Sequence, residues 1–387
     1  MLSAVVLVVV GYGWVQLCAI GLGLNRADVI AAPPTPAAPS IAPTPAPGDV
    51  SAESATGSLS PWLAGDQNVL VVGVDSRTDA RGEPLAASVL QGLHAGATDD
   101  GGQSTDTMIV MHLPAGGGTV TAISIPRDSY VPIAGGFGTH KINSAYAYGA
   151  HAAAAELGHH VMSGARLPAA DAAGARTAIA TVERLTGLRI THYAAVNLAG
   201  FYQLSQAIGG VPVCLNAPVH DSYTGADLPA GPQTLSGAEA LAFVRQRHGL
   251  ADGDLDRIRR QQRFLAGLGD RVLNGGMLTN PAALHRLLVA ARSSITVDQD
   301  FDLLAAAQAL IHLRAGDITF ATIPIGTPNL HTRSDGDAVE VDTDQVHTFI
   351  RAVLRTGRDS DRTTEPAAAQ SDRTATAPSA NAPSCVN

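Results

Sequence analysis

Residues 68–75 read NVLVVGVD and residues 104–113 read STDTMIVMHL. Both contain short β-branched runs, the signature of strands. Each run has an aspartate at one end: Asp75 closes the first, and Asp106 stands directly before the second. Similar runs follow at Thr119–Pro126, Ile190–Asn197 and Ile318–Ile325. Helical periodicity predicts helices over Ala172–Thr186, Ala199–Ile208, Ser236–Val244, Leu255–Leu273, Pro281–Ser293, Asp300–Leu313 and Thr343–Arg355. Strands alternating with helices predict an α/β protein, a single layered α/β/α domain.

This globular region is expected to span residues 62–358 of the 387. Ahead of it, residues 2–25 carry no charge, and about 20 residues are enough for a helix to cross the hydrocarbon core. No small-residue cleavage site is obvious after a short apolar stretch, so residues 1–25 are expected to be a retained transmembrane anchor. Residues 26–61 form an Ala/Pro-rich linker, with AAPPTPAAPSIAPTPAPG at 31–48. Such a spacer is extended and polyproline-like, and suits a domain held off the outer membrane surface. Residues 359–387 are polar and Pro-rich, and are expected to be a disordered tail.

The formal net charge is −9, which removes any global attraction to nucleic acid or anionic lipid. Three cysteines cannot make a disulfide-dense scaffold. Only 15% of residues are charged, so clusters of charge stand out. The only lysine is Lys141.

Four clusters carry the chemistry. The first is Asp75-Ser76-Arg77-Thr78-Asp79. A carboxylate leaving an apolar strand points into the crevice where α/β sheets bind ligands, or simply makes an Asx turn. The second, Ser104-Thr105-Asp106, supplies another carboxylate beside Asp75 if the two strands are neighbours. Two carboxylates together with phosphate oxygens are what Mg²⁺ takes. The third joins Arg127-Asp128, after the strand-ending Pro126, to His140-Lys141-Ile142-Asn143. The intervening Gly135-Gly136-Phe137-Gly138 matches no nucleotide-binding loop.

The fourth cluster is the densest. Residues 245–263 hold six arginines and three aspartates. Arg257, Arg260, Gln261 and Phe264 share one face of a helix. Ile258, Leu265 and Val272 form a separate stripe, expected to face the core. Asp252, Asp254 and Asp256 stand at the helix start, where the dipole favours negative charge. Such a cluster can be a solvated, salt-bridged helix end, but the rest of the chain is charge-poor, and arginines also hold phosphate oxygens with a planar, bidentate fork. Together the clusters are equipment for phosphoryl transfer, where positioning and charge neutralisation do most of the catalysis.

The ordered motifs VGVDSRTD, STDTMIV, ISIPRDS, HKINSAYAYG, AIGGVPV, LSGAEALAFVRQRHG and GDLDRIRRQQRFL resemble the LytR-CpsA-Psr family over about residues 66–275. The resemblance implies a central mixed β-sheet flanked by helices, with an apolar pocket for a polyprenyl chain. It implies a membrane-anchored, extracytoplasmic phosphotransferase that moves a glycopolymer, arabinogalactan-like or teichoic-like, from a polyprenyl-diphosphate carrier to peptidoglycan. Asp75 and Asp106 match the family's carboxylates for Mg²⁺ (or Mn²⁺). Arg77, Arg127, Lys141, Asn143, Arg245, Arg247, Arg257 and Gln261 match positions around the diphosphate, with Arg127, Arg257 and Asp75 as the catalytic residues. Either Asp254 or Asp256 falls where the family has an acid that orients the arginines. Arg260 is a weaker match.

Two other readings use the same residues. One is a polyprenyl-diphosphate phosphatase, with water as the nucleophile. The other is a non-catalytic wall-assembly protein that binds the lipid carrier. Separately, Cys385 has Cys214 as its only counterpart outside the anchor segment. Either the two form a disulfide that pins the tail, or they remain free thiols with Cys214 a small buried apolar residue.

Overall fold

The computed structural model describes residues 24–30, 65–79, 84–95, 103–158, 168–273, 280–302, 305–306, 309, 313, 315–360 and 385–387. In chain order, the first half contains β1 (Asn25–Ala27), β2 (Gln67–Val74), α1 (Ala87–Gly92), β3 (Thr105–Leu113), β4 (Val120–Ser124), β5 (Ser129–Pro132), β6 (Thr139–Lys141), α2 (Ala145–Glu156), α3 (Pro168–Thr186) and β7 (His192–Asn197). Then come α4 (Leu198–Ala207), β8 (Val211–Leu215), β9 (Val219–Asp221), β10 (Ala226–Leu228), β11 (Gly231–Leu235), α5 (Gly237–Arg245) and α6 (Asp254–Leu273). The last elements are α7 (Pro281–Ser294), β12 (Ile295–Asp298), β13 (Ile318–Thr322), β14 (Leu330–His331), β15 (Asp337–Glu340) and α8 (Thr343–Ser360).

The main sheet has the order β1-β12-β7-β2-β3-β4-β13. β2 runs parallel to β7 and antiparallel to β3, so the sheet is mixed. β2 is covered on both faces. Leu70, Val72 and Val74 pack with Tyr146, Ala150, Ala175 and Val182 of α2 and α3. Val69 and Val71 point the other way, towards Ala305, Ala306 and Ala309. Burial on both faces is why NVLVVGVD lacks polar alternation. A second apolar cluster joins α1, α4, α5 and β8 to Phe264 of α6.

The small sheet β14-β15-β5-β6 bears on function through its β5–β6 hairpin. The Gly135–Gly138 stretch is the turn of that hairpin, and its register sets Lys141 opposite Tyr130.

Several expectations need correction. Residues 26–30, assigned to the linker, belong to the domain: Asn25–Ala27 forms an edge strand on β12, and Val29 is buried in the core. Three residues are too few for a periodicity to declare a strand. The chain is not a free tail from 359 onwards, because α8 continues to Ser360 and Val386 bridges Leu215 in parallel. Residues 1–23, most of the expected anchor, and 361–384 lie outside the described residues. Among the described residues no helix is long and apolar enough to cross a membrane. The expected helix over Asp300–Leu313 is described only in part, with Ala305, Ala306 and Ala309 helical. Helix α2 (AYAYGAHAAAAE) escapes a periodicity reading because alanine lies on every side of it.

Candidate active site

Three strand ends and one helix start converge. Val74 of β2 pairs with Thr105 of β3, and the Asp75 amide donates to the Ser104 carbonyl at 3.0 Å. Asp75 and Asp106 therefore stand at the same end of adjacent antiparallel strands. β4 lies on the far side of β3, with Ser124 opposite Ile109. Pro126 ends this strand and the chain turns at Arg127, whose Nη1 meets Asp106 Oδ1 at 2.7 Å. The Arg127 carbonyl accepts from the Asn143 amide at 3.1 Å, which fastens this turn to the segment after β6.

The first turns of α6 close the site. Arg257 Nη2 is 2.5 Å from Asp254 Oδ1 and donates to the Asp106 carbonyl at 3.3 Å. Arg127 Nε lies 3.9 Å from Asp254 and 3.6 Å from Asp128. Lys141 Nζ reaches the other oxygen of Asp128 at 3.3 Å. The result is an alternating array: Lys141, Asp128, Arg127, then Asp106 and Asp254, then Arg257. Arg77 sits beside it, its Nη1 2.5 Å from Asp75 Oδ1 and its Nη2 2.5 Å from the Ala95 carbonyl. Arg245 donates to the carbonyls of Leu93 and His94, so the 93–95 segment is held by two arginines. Arg247 is exposed, within electrostatic reach of Asp254.

Burial sets the electrostatics. It pushes the Asp254 carboxyl above its ordinary pKa, with Asp128 adding to the rise and Arg257 and Arg127 opposing it. Burial also lowers the pKa of Arg257, against the pull of Asp254. At Arg127 burial works the same way, but Asp106, Asp128 and Asp254 outweigh it and leave the pKa raised.

Three readings of α6 change in the structure. The face carrying Arg257, Arg260, Gln261, Phe264 and Gly267 is buried, whereas Leu265 and Val272 are only half-buried. Ile258 is buried as expected, so the apolar stripe reaches the core only at its first member, while the arginine face is buried along its length because it finds acids and carbonyls inside the protein. Second, Asp254 is the acid that touches the arginines, while Asp256 pairs with Arg259 and accepts from the Asp252 amide. Third, the Gln261 amide donates to Thr107 Oγ1 at 3.0 Å and to the Val244 carbonyl at 3.3 Å, tying α6 to β3 and α5.

Arg260 holds the fold together. It is fully buried and donates to Gln246 and to the main-chain oxygen of Asn387. Its guanidinium lies 5.2 Å from the centroid of the Phe243 ring. Burial lowers its pKa to about 10, with Asp256 and Asp221 opposing. The Asn387 acceptor is in place because Cys385 is disulfide-bonded to Cys214 of β8. Val386 also exchanges main-chain hydrogen bonds with Cys214 and Asn216.

Gln262, which the sequence did not single out, donates to Ser124 and Thr322 and anchors α6 over β4 and β13. Gly267 lets the same helix approach β8: a Cβ there would sit 2.5 Å from the Pro212 carbonyl. The carbonyl bed at 93–95 is main chain and has no residue-type signal.

The fold and site define a mixed α/β protein with a partly buried arginine–carboxylate array at the strand ends of its central sheet. Residues 49–352 match the LytR_cpsA_psr family, and the chain belongs to it. The chain is 43% identical over 293 residues to the cell wall biosynthesis protein LcpA of Corynebacterium glutamicum, covering 75% of this chain and 56% of that one. It is 29% identical over 235 residues to the polyisoprenyl-teichoic acid–peptidoglycan teichoic acid transferase TagU of Enterococcus faecalis, covering 61% of this chain and 62% of the relative. The chain thus spans less than two thirds of these relatives' length. In fold it is similar to the crystal structure of B. subtilis TagV, with a TM-score of 0.55 at 22% identity, covering 76% of this chain and 98% of the other. A LytR-Csp2A-Psr enzyme from Actinomyces oris gives 0.51 at 22% identity, covering 86% and 96%.

Proposed function

We propose that this protein is a phosphotransferase that moves a glycopolymer from a polyprenyl-diphosphate carrier to peptidoglycan. One observation carries the reading. Asp75 Oδ1, Arg77 Nε, Arg127 Nε, both Asp254 carboxylate oxygens and Arg257 Nε are buried and make no hydrogen bond among the described residues, beyond their ion contacts. Buried polar groups are normally satisfied. The three arginine Nε–H groups are donors that the oxygens of a bound polyanion would complete, whereas the carboxylate oxygens are acceptors that a cation or a substrate hydroxyl would complete. The names of the relatives, which concern cell wall biosynthesis and teichoic acid transfer, support the same reading.

Arg127, Arg257, Lys141 and Arg77 would hold the diphosphate oxygens and offset the charge that develops on them. A hydroxyl of the acceptor attacks the sugar-linked phosphorus. The bond from that phosphorus to the bridging oxygen breaks, polyprenyl monophosphate leaves, and a phosphodiester joins acceptor to glycopolymer. The hydroxyl proton passes to a nearby carboxylate, Asp75 or Asp128. The second apolar cluster includes Leu93 and Ala95, in the segment Arg77 and Arg245 hold, and would border the lipid chain.

Asp75 and Asp106 would hold Mg²⁺ or Mn²⁺. Among the described residues no group of three or more His, Cys, Asp or Glu is set to hold a metal alone. Two carboxylates sharing a magnesium with substrate phosphates and water fit this donor set. Such an ion would supply further charge neutralisation at the diphosphate. The uncharged N-terminal run would anchor the domain at the outer membrane surface.

The test is the whole protein with lipid-linked polymer, Mg²⁺ and peptidoglycan fragments. Attached polymer is the expected result, with Asp75→Asn and Asp106→Asn both impaired. Monophosphate release without attachment would make the protein a phosphatase. Binding without turnover, unchanged in Asp75→Ala, would make it a non-catalytic carrier-binding protein.

A further inference from the structure

The array accounts for the diphosphate but not for an aromatic surface beside it. Tyr223, in the turn between β9 and β10, is 72% exposed and is the only aromatic among the strongly exposed large apolar side chains of the described residues. Its ring stacks on His248, centroids 4.3 Å apart and planes 27° from parallel. One ring face is therefore covered and the other is open. This chain spends only 4% of its residues on aromatics, and nothing in the core uses this one.

The turn is built rather than loose. Asp221, 6% exposed, accepts from the Tyr223 amide at 3.0 Å and from Thr224 Oγ1 at 2.9 Å. Gly225 follows at φ +75°, and any side chain there would strike the His94 ring. Contacts around the stacked pair run towards the array on two sides, through Gln246 to α6 and through Gly225, which lies against His94, to the 93–95 segment. The His248 carbonyl accepts from Gln246 at 3.0 Å, and Gln246 in turn accepts from Arg260, one turn along α6 from Arg257. On the other side, the carbonyls of Leu93 and His94 accept from Arg245, and that of Ala95 from Arg77. Exposed Arg247 adjoins His248 in the chain.

We propose that the open face of Tyr223, backed by His248, is a saccharide-binding platform that seats a sugar ring beside the diphosphate site. The inference rests on the transferase reading. A sugar ring has one face of C–H groups and a rim of hydroxyls. The first packs on an aromatic face, and the second has the exposed Ser222 next in the chain. A rigid ring with a polar tip gives contact area at little entropic cost. A lipid surface is the poorer fit: residues 220–227 (HDSYTGAD) contain no lysine or arginine, and the exposed Asp227, paired with His220, would face anionic headgroups. The sugar belongs either to the transferred polymer or to the acceptor glycan, and both present this chemistry.

The full chain, with Tyr223→Ala and Tyr223→Phe, is titrated by calorimetry with two soluble probes. These are an arabinofuranose–galactofuranose oligosaccharide and a GlcNAc–MurNAc peptide. We expect Tyr223→Ala to weaken binding of one probe about tenfold, from the worth of a stacked aromatic contact. Tyr223→Phe, which keeps the ring, stays within about twofold on the same reasoning. The probe that is lost names the source of the sugar. The proposal is overturned if the wild type binds neither probe, if Tyr223→Ala binds both unchanged, or if Tyr223→Phe loses as much as Tyr223→Ala. It is equally overturned if Tyr223→Ala instead loses binding to phosphatidylglycerol vesicles. The transferase reading fails separately, by absence of monophosphate release from a polyprenyl-diphosphate substrate in the wild type.

Discussion

Arg257 is the residue whose removal tests the site most sharply. The residue is 3% exposed, and its guanidinium bridges the Asp254 carboxylate and the Asp106 carbonyl. Replacing it with alanine strands Asp254, whose next cation is Arg127 at 3.9 Å. Breaking one side of a buried ion pair costs about 3–5 kcal/mol, because the remaining charge is left without compensation. Loss of one preorganised charge-stabilising group costs about 10²–10³ in turnover. The single variant Arg257→Ala therefore shows both effects at once, and a second substitution separates them. In Asp254→Asn/Arg257→Ala the stranded charge is gone, so much of the stability returns while activity does not. Urea unfolding followed by circular dichroism reads the first quantity, and release of polyprenyl monophosphate reads the second. The reasoning is refuted if folded Arg257→Ala keeps turnover within about tenfold of wild type, or if the double variant regains activity along with stability. Either result would make Arg257 scaffolding alone.

Other expectations follow from the same contacts. Burial raises the pKa of Asp254, so the folded state keeps a proton that the unfolded chain has already released. The stability from this group is thus full below the ordinary carboxylate range and lost as pH rises through the raised value. Activity runs the other way, since the ionised carboxylate holds Arg257 and Arg127. The acid limb of kcat/KM should lie above the ordinary carboxylate range, and Asp254→Asn should abolish it. The Cys214–Cys385 bond has a sequence separation of 171 residues, worth up to about 5 kcal/mol on the chain-entropy model. Cys385→Ser should lower Tm by roughly 8 °C for a domain of this size, and calorimetry showing no shift would contradict it. Gly267→Ala forces a Cβ against the Pro212 carbonyl and should cost about 1–3 kcal/mol in denaturant unfolding, with KM moving as α6 shifts.

Much of this architecture can be read from local pattern. NVLVVGVD and the runs at 107–113 and 119–126 are strands wherever they are placed, since only a sheet buries consecutive branched apolar residues so economically. That Asp75 and Asp106 end adjacent strands was conditional on pairing, and the antiparallel β2–β3 register supplies it. Misreading the α6 faces has a plain cause. A hydrophobic stripe is taken as the core, but Arg257 and Arg260 are buried because their partners, Asp106, Gln246 and Asn387, come from distant parts of the chain. The same distance hid the choice between Asp254 and Asp256, two residues apart on one helix turn.

Residue chemistry and local periodicity alone determine that this chain has branched strands, amphipathic helices and four islands of charge in a charge-poor background. Those properties depend on near neighbours, so they survive without knowledge of the fold. The tertiary structure alone decided that three islands meet in one array, that Asp254 rather than Asp256 serves it, and that Asn387 satisfies a buried arginine 127 residues away. Charge pairing at 3 Å and burial are properties of space. Strand register and helix docking create them, and no local stretch of sequence holds that information.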